Sequence, residues 1–287
     1  MMKRLFVLGC SFSNYAWPTW ADILGQEFDI FENWAFPGLG NRAIAERVAE
    51  IHARNKLTKD DTVIVQWTSH LRHDWHAADT RHQDNAGWKT SGSLFNYINQ
   101  SIFDEQWIKT FWSETSYMMH TFNHILLTQE FLNGIGCNWR MTSMGYISKM
   151  NSDYPSNDHG EQMPEIDIWE SSPALKVYKR IFEDKSKWIK PVGTFAWNHE
   201  TKPYKFTSVQ DKSVFTVDRH PTIIQHKDYY DKHILPSLGI SQKQTKKVKH
   251  WIDTINRIYD NSHRDFDLFC ENIDKEISDR NNHYRGF

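Results

Sequence analysis

The chain has 287 residues, 39% of them hydrophobic and 14% aromatic, with 34 basic against 36 acidic side chains and a formal net charge of -2. That is enough apolar material for one sizeable core, and the balanced charge supplies no bulk field to attract nucleic acid or an anionic membrane, so neither is expected as a partner. Three cysteines, Cys10, Cys137 and Cys270, are too few and too scattered for a disulfide framework or a zinc knuckle, which points to free thiols in a reducing compartment.

The N-terminal Met1-Met2-Lys3-Arg4 followed by apolar residues looks like the start of a secretion signal, but the run Leu5 to Leu8 falls short of the ~7–15 residues a signal core takes. No stretch approaches the ~20 apolar residues of a membrane-spanning helix. A cytoplasmic or virion-associated protein is expected. Arg4-Leu5-Phe6-Val7-Leu8 reads instead as a buried strand that breaks at Gly9-Cys10-Ser11-Phe12-Ser13, leaving a hydroxyl at the carboxyl edge of a sheet.

Trp17 to Leu24 suits a helix with Pro18 in its first turn, and Phe28-Asp29-Ile30-Phe31 suits a second strand. A Gly-rich turn follows at Pro37-Gly38-Leu39-Gly40-Asn41, where Asn41 is placed to cap a helix carrying Ile44, Val48 and Ile51. Thr62 to Trp67 is a β-branched run of the buried-strand type. From Asp104 to Leu132 apolar residues keep helical spacing, Gly134 and Gly136 close the segment, and Cys137 to Met141 supplies a fourth strand.

This alternation predicts an α/β fold with a mostly parallel sheet covered on both faces. Between about 146 and 215 the pattern dissolves into polar residues with scattered aromatics, as expected of a long insertion or lid over the site. Ser241 to Arg285 is charged and helical in rhythm, with Val248, Trp251, Ile252, Ile255 and Ile258 along one face. The expected organisation is an α/β domain over 1–240, with the insertion inside it, and a C-terminal helical extension over 241–287. Thirteen tryptophans read first as burial units, with a sugar-stacking platform as the alternative that exposure decides.

The ordered set of Gly9-Cys10-Ser11-Phe12-Ser13, Asn33 with Gly38, the exit of the third strand, and Asp218-Arg219-His220-Pro221 resembles the SGNH (GDSL-like) hydrolase family. The resemblance covers four short blocks and implies a flavodoxin-like three-layer α/β/α sandwich. It makes Ser11 the nucleophile, His220 the base and Asp218 its orienting carboxylate, with the Ser11 and Gly38 N–H groups in the oxyanion hole. Two features depart from the family pattern. The third block has no Asn in Gln66-Trp67-Thr68-Ser69-His70-Leu71-Arg72, so a hydroxyl of Thr68 or Ser69 is the replacement donor, and Asp218 stands two residues before His220 rather than three.

Other readings stand beside these. Ser11 also suits a helix cap, Gly38 and Gly40 suit plain turns, and Asp218 suits a turn before Pro221. Cys10, expected to point to the opposite layer from Ser11, is the lesser nucleophile candidate. His70, His73, Asp74, His76, Asp79 and His82 share three-residue steps that place them on one face of a helix, but match no zinc spacing. They are therefore expected to be polar or cleft-lining, with no metal and no cofactor. His70 and Arg72 are the candidates for substrate binding, Arg72 through an anionic group.

The expected activity is hydrolysis of a small acyl ester, such as an O-acetyl group on a carbohydrate. Transfer of the acyl group to a glycan, and a non-catalytic structural role, for example as a phage virion component, are the alternatives. Homo-oligomer or virion assembly is assigned to the C-terminal helices.

Overall fold

The computed structural model describes residues 2–76, 88–93, 105–150, 166–208, 214–241 and 245–277. Its centre is a parallel four-stranded sheet, and the architecture is the flavodoxin-like α/β/α sandwich with a long insertion and a C-terminal helical extension. The strands are β1 (Arg4–Leu8), β2 (Ile30–Asn33), β3 (Thr62–Trp67) and, after a hairpin of β4 (Arg72–His76) with β5 (Trp88–Ser93), β6 (Asn138–Ser143). Their order is β2-β1-β3-β6.

The three layers follow from the two-residue period of the strands. Leu5, Val7 and Ile64 point to one face, where they join Ile23 and Leu24 of α1 (Trp20–Gly25). Phe6, Leu8, Val63 and Val65 point to the other, against Ile44, Val48 and Ile51 of α2 (Asn41–Asn55). That second face is completed by Met118, Phe122 and Ile125 of α4 (Glu114–Ile135), which a short α3 (Glu105–Phe111) precedes.

Some boundaries differ from the sequence reading. Pro18 lies ahead of α1, whose N-cap is Thr19 in a capping box with Asp22. The second strand starts at Ile30, because Arg4 pairs with Ile30 and the preceding residues turn out of α1. Asn41 does not cap α2: Gly40 is the N-cap, and the Asn41 side chain reaches into tertiary structure instead. The long helix expected from 104 to 132 is broken before Ser113, which caps α4 by accepting the Ser116 N–H. The fourth strand runs to Ser143, past Met141.

Residues 144–217 carry the short pair β7 (Lys149–Met150) and β8 (Ile166–Asp167), α5 (Ile168–Ser171), two 3-10 turns, α6 (Val192–Trp197), and the hairpin of β9 (Lys205–Thr207) with β10 (Phe215–Val217). Then follow α7 (Ile223–Tyr229), α8 (Leu235–Leu238), α9 (Thr245–Asn261) and α10 (Phe266–Glu276). Val248, Trp251, Ile255 and Ile258 of α9 share the apolar cluster of α1 and α7, so these last helices pack into the main body. Trp17, Trp20, Trp34, Trp67, Trp139, Trp169 and Trp251 are all buried, which assigns most of the tryptophan excess to packing. Among the described residues no helix is long and apolar enough to cross a membrane.

Trp251 is 1% exposed and bridges the C-terminal helices to the α1 side of the core. Truncating it leaves a cavity, so Trp251→Ala is expected to lower unfolding free energy by about 3–5 kcal/mol in a denaturant titration. A change within about 0.5 kcal/mol would mean the extension does not hold the body together.

Candidate active site

At the carboxyl edge of the sheet, β1 has β2 on one side and β3 on the other, the switch point where open α/β sheets form ligand crevices. The chain leaving β1 makes a tight turn there, with the Ser13 and Asn14 N–H groups both donating to Cys10 O at 2.9 and 3.2 Å. Gln66, fully buried at the end of β3, holds this turn from below. Its Oε1 accepts from Cys10 N–H at 3.1 Å, Ser13 Oγ–H at 3.1 Å and Cys10 Sγ at 3.4 Å. A side chain at Gly9 would put its Cβ 2.7 Å from that oxygen, so the turn needs glycine. From the sides, Asn33 Nδ2 and Thr19 Oγ1 both donate to Ser13 O at 2.8 Å. Cys10 is thereby turned inward and buried, whereas Ser11 faces a cleft.

The other half of the site arrives from 200 residues further along the chain. Ser11 Oγ lies 2.9 Å from His220 Nε2, a separation of 209 positions in sequence. His220 Nδ1 lies 2.6 Å from Asp218 Oδ1, and the same oxygen accepts the His220 backbone N–H at 2.8 Å. This is an Asx turn, and it explains how a spacing of two suffices: the carboxylate folds back on the residue two ahead and meets both its backbone and its ring. Trp17 Nε1–H donates to Pro221 O at 2.9 Å, and Thr222 opens α7 with a capping box to Gln225, so the loop is anchored on both sides.

Burial is the largest influence on the Asp218 carboxyl and resists its ionisation. The hydrogen bonds and charge of His220 and the hydrogen bond from Tyr15 outweigh it, holding the group below the usual carboxylate range. An ionised carboxylate only accepts, so the Nδ1 proton points to Asp218 and Nε2 is left to accept from Ser11. Tyr15 is a residue that spacing gave no reason to select. Its hydroxyl donates to Asp218 Oδ2 at 2.8 Å, and its ring stacks on the His220 ring with centroids 3.7 Å apart. Burial, then the Asp218 charge, push the Tyr15 phenol far above its ordinary range, so it remains a donor. His226, fully buried and pushed down to about 3 by burial and then by His220, adds no positive charge.

The cleft has a volume of about 540 Å³. Ser11, Phe12 and His220 line it together with Arg72, Met144, Val217 and Arg219, and Ala196, Trp197 and residues 199–203 supply one wall. Gln225 ties this wall to α7 by donating from Nε2 to Ala196 O and Thr201 O. His199 belongs to the wall but is fully engaged, accepting Thr201 N–H on Nδ1 at 3.0 Å and meeting Asp228 with Nε2 at 2.9 Å.

The remaining expected residues are placed as follows. Gly38, with φ of 85°, is the third residue of a turn in which Leu39 N–H donates to Phe36 O. The Thr68 N–H donates to Asn41 Oδ1 at 2.8 Å, and Ser69 Oγ accepts from Leu71 N–H at 3.2 Å. His70 lies 3.6 Å from Glu114. None of these four lines the cleft, whereas Arg72 does. The Ser11 N–H makes no hydrogen bond among the described residues.

The face shared by His70 to His82 does not form, because Arg72 to His76 is an extended strand. Asp74 turns inward to accept the N–H groups of Gly40 and Ala43 at 2.9 and 3.2 Å, steadying the start of α2. Asp79, His82 and the His76 side chain lie outside the described residues.

No protein-family model matches the chain, and no curated protein matches it significantly.

Replacing Gln66 by Leu would orphan the Cys10 N–H and the Ser13 hydroxyl. Gln66→Leu is expected to cost about 1–3 kcal/mol for each orphaned group, measured by denaturant unfolding. Asp218, with its folded-state pKa lowered, contributes stability that is present above about pH 4 and is lost as pH falls through the folded value. Stability measured against pH should accordingly fall less steeply below pH 4 in Asp218→Asn than in the native chain. Equal slopes would remove Asp218 from the account of acid sensitivity.

Proposed function

We propose that this chain is a serine hydrolase that cleaves a small acyl ester, in keeping with its resemblance to SGNH hydrolases. The observation that carries the reading is the 2.9 Å approach of Ser11 Oγ to His220 Nε2 inside an open cleft, backed by Asp218 at 2.6 Å from the other ring nitrogen. A serine hydroxyl is a weak nucleophile until a base takes its proton, and a base serves best when a third group fixes its tautomer.

In this reading His220 Nε2 takes the Ser11 Oγ proton as the Oγ–C bond forms to the ester carbonyl. The Ser11 N–H, which makes no hydrogen bond among the described residues, donates to the developing oxyanion, while Gly38, Thr68 and Ser69 lie outside the cleft lining and are given no part in it. His220 returns the proton to the departing alkoxide as the C–O bond breaks. Water, deprotonated by His220, then attacks the acyl-serine and releases the carboxylic acid and free Ser11. Tyr15 positions the pair by holding Asp218 from behind and stacking on the imidazole. An O-acetyl carbohydrate is the proposed natural substrate class, and Trp197 in the cleft wall is the aromatic surface available to a sugar ring.

Hydrolysis of p-nitrophenyl acetate by the native chain, Ser11→Ala and His220→Ala tests the reading. Both substitutions are expected to lower kcat at least about a hundredfold with the melting temperature retained, since members of one catalytic unit fail together. Tyr15→Phe, which keeps the stacked ring and removes one donor to a charged group, is expected to lower kcat about tenfold. Activity indifferent to Ser11 would overturn the assignment.

A further inference from the structure

The charges around the cleft carry an indication of what the ester looks like. Apart from His199 and His220, four acidic or basic side chains among the described residues line it: Arg72, Lys202, Arg219 and Glu200. Three of the four are cationic, in a chain whose total charge is nearly balanced. None of them forms an ion pair among the described residues.

Arg72 is the informative member because it is partly buried rather than waving in solvent. Its guanidinium makes one hydrogen bond among the described residues, from Nη1 to Leu39 O at 2.9 Å, which leaves further donors of the fork facing none of them. Asp74 stands two residues away on the same strand, yet its two carboxylate oxygens accept the Gly40 and Ala43 N–H groups. Burial pushes that carboxyl up to about 6 against the two N–H groups and the charges of Arg72 and Arg42, and it forms no ion pair with Arg72. A guanidinium at the edge of a cleft, with no carboxylate within ion-pair distance among the described residues, matches the planar, paired acceptors of a carboxylate or phosphate.

We infer that the cleft takes an ester carrying a carboxylate or phosphate group, bound by Arg72 within a field made positive by Lys202 and Arg219, while Ser11 attacks the ester carbonyl. The inference rests on the serine hydrolase reading for its reaction, but the anion site is separable from it. An acidic sugar bearing an O-acetyl group is one compound of this class.

The test compares kcat/KM for 4-acetoxybenzoate and 4-acetoxyphenyl phosphate with that for the neutral methyl 4-acetoxybenzoate, at low and high ionic strength. The native chain, Arg72→Gln and Arg72→Lys are compared, with melting temperatures recorded. The native chain is expected to favour an anionic ester by about tenfold, the worth of one charge-assisted contact. The preference should shrink with salt, fall to near unity in Arg72→Gln through KM, and persist in part in Arg72→Lys. Whether the carboxylate or the phosphate ester is preferred assigns the anion.

Binding of the same esters to Ser11→Ala by calorimetry separates the two readings. Anion-selective binding that depends on Arg72, without hydrolysis by the native chain, would overturn the hydrolase and leave the anion site standing. Hydrolysis with no preference between charged and neutral esters, or a preference unmoved by Arg72→Gln, would overturn the anion site and leave the hydrolase.

Discussion

The site depends on a single amide oxygen. Gln66 Oε1 lies fully buried at the end of β3 and gathers donors from Cys10 and Ser13, so the turn leaving β1 cannot relax into the helical cap that a Gly-x-Ser sequence would otherwise allow. Buried polar groups are costly when unpaired, and among the described residues the acceptor that both donors meet is the one that turns Ser11 outward. Ser11 is thereby placed by the core of the sheet rather than by a loop, which is how a site keeps sub-ångström precision.

The second half of the site is built differently. Asp218 and His220 sit on a short segment between β10 and α7, and their mutual geometry is local, set by an Asx turn. What is not local is how that segment finds Ser11. Tyr15 and Trp17, just past the turn that carries Ser11, donate to Asp218 and Pro221 respectively, and these two bonds span more than 200 residues of chain. The aromatic cluster behind them, from Trp17 through Tyr204 to Phe269, brings the C-terminal helices into the same foundation. The insertion and the helical extension are thus parts of one packed body with the sheet, and the cleft is the space left between them.

How much of this could be read from the residues follows from physics. The runs Leu5 to Leu8 and Thr62 to Trp67 were legible as strands because a strand buried on both faces must be continuously apolar. Ser11, Asp218 and His220 could be nominated by motif, and the structure brings them within hydrogen-bonding distance. Asn41 misled because an Asn after a Gly-rich turn is a good cap on local grounds, whereas its side chain is spent on Thr68 across the fold. The His and Asp series after Ser69 misled for a related reason: its three-residue steps suit a helix, but Arg72 to His76 is an extended strand. Gln66 carried one overlooked sign, a lone amide inside an apolar strand. Tyr15 carried none, since its role comes from a contact with a residue 203 positions away.

The central claim, that Ser11 is activated by His220, is tested most directly by labelling with a fluorophosphonate, which loses fluoride as it phosphonylates an activated serine. Peptide mass spectrometry should find the adduct on Ser11 in the native chain, and the labelling rate should collapse in His220→Ala while the fold is retained. An unlabelled Ser11, or one labelled equally fast without His220, would contradict the account.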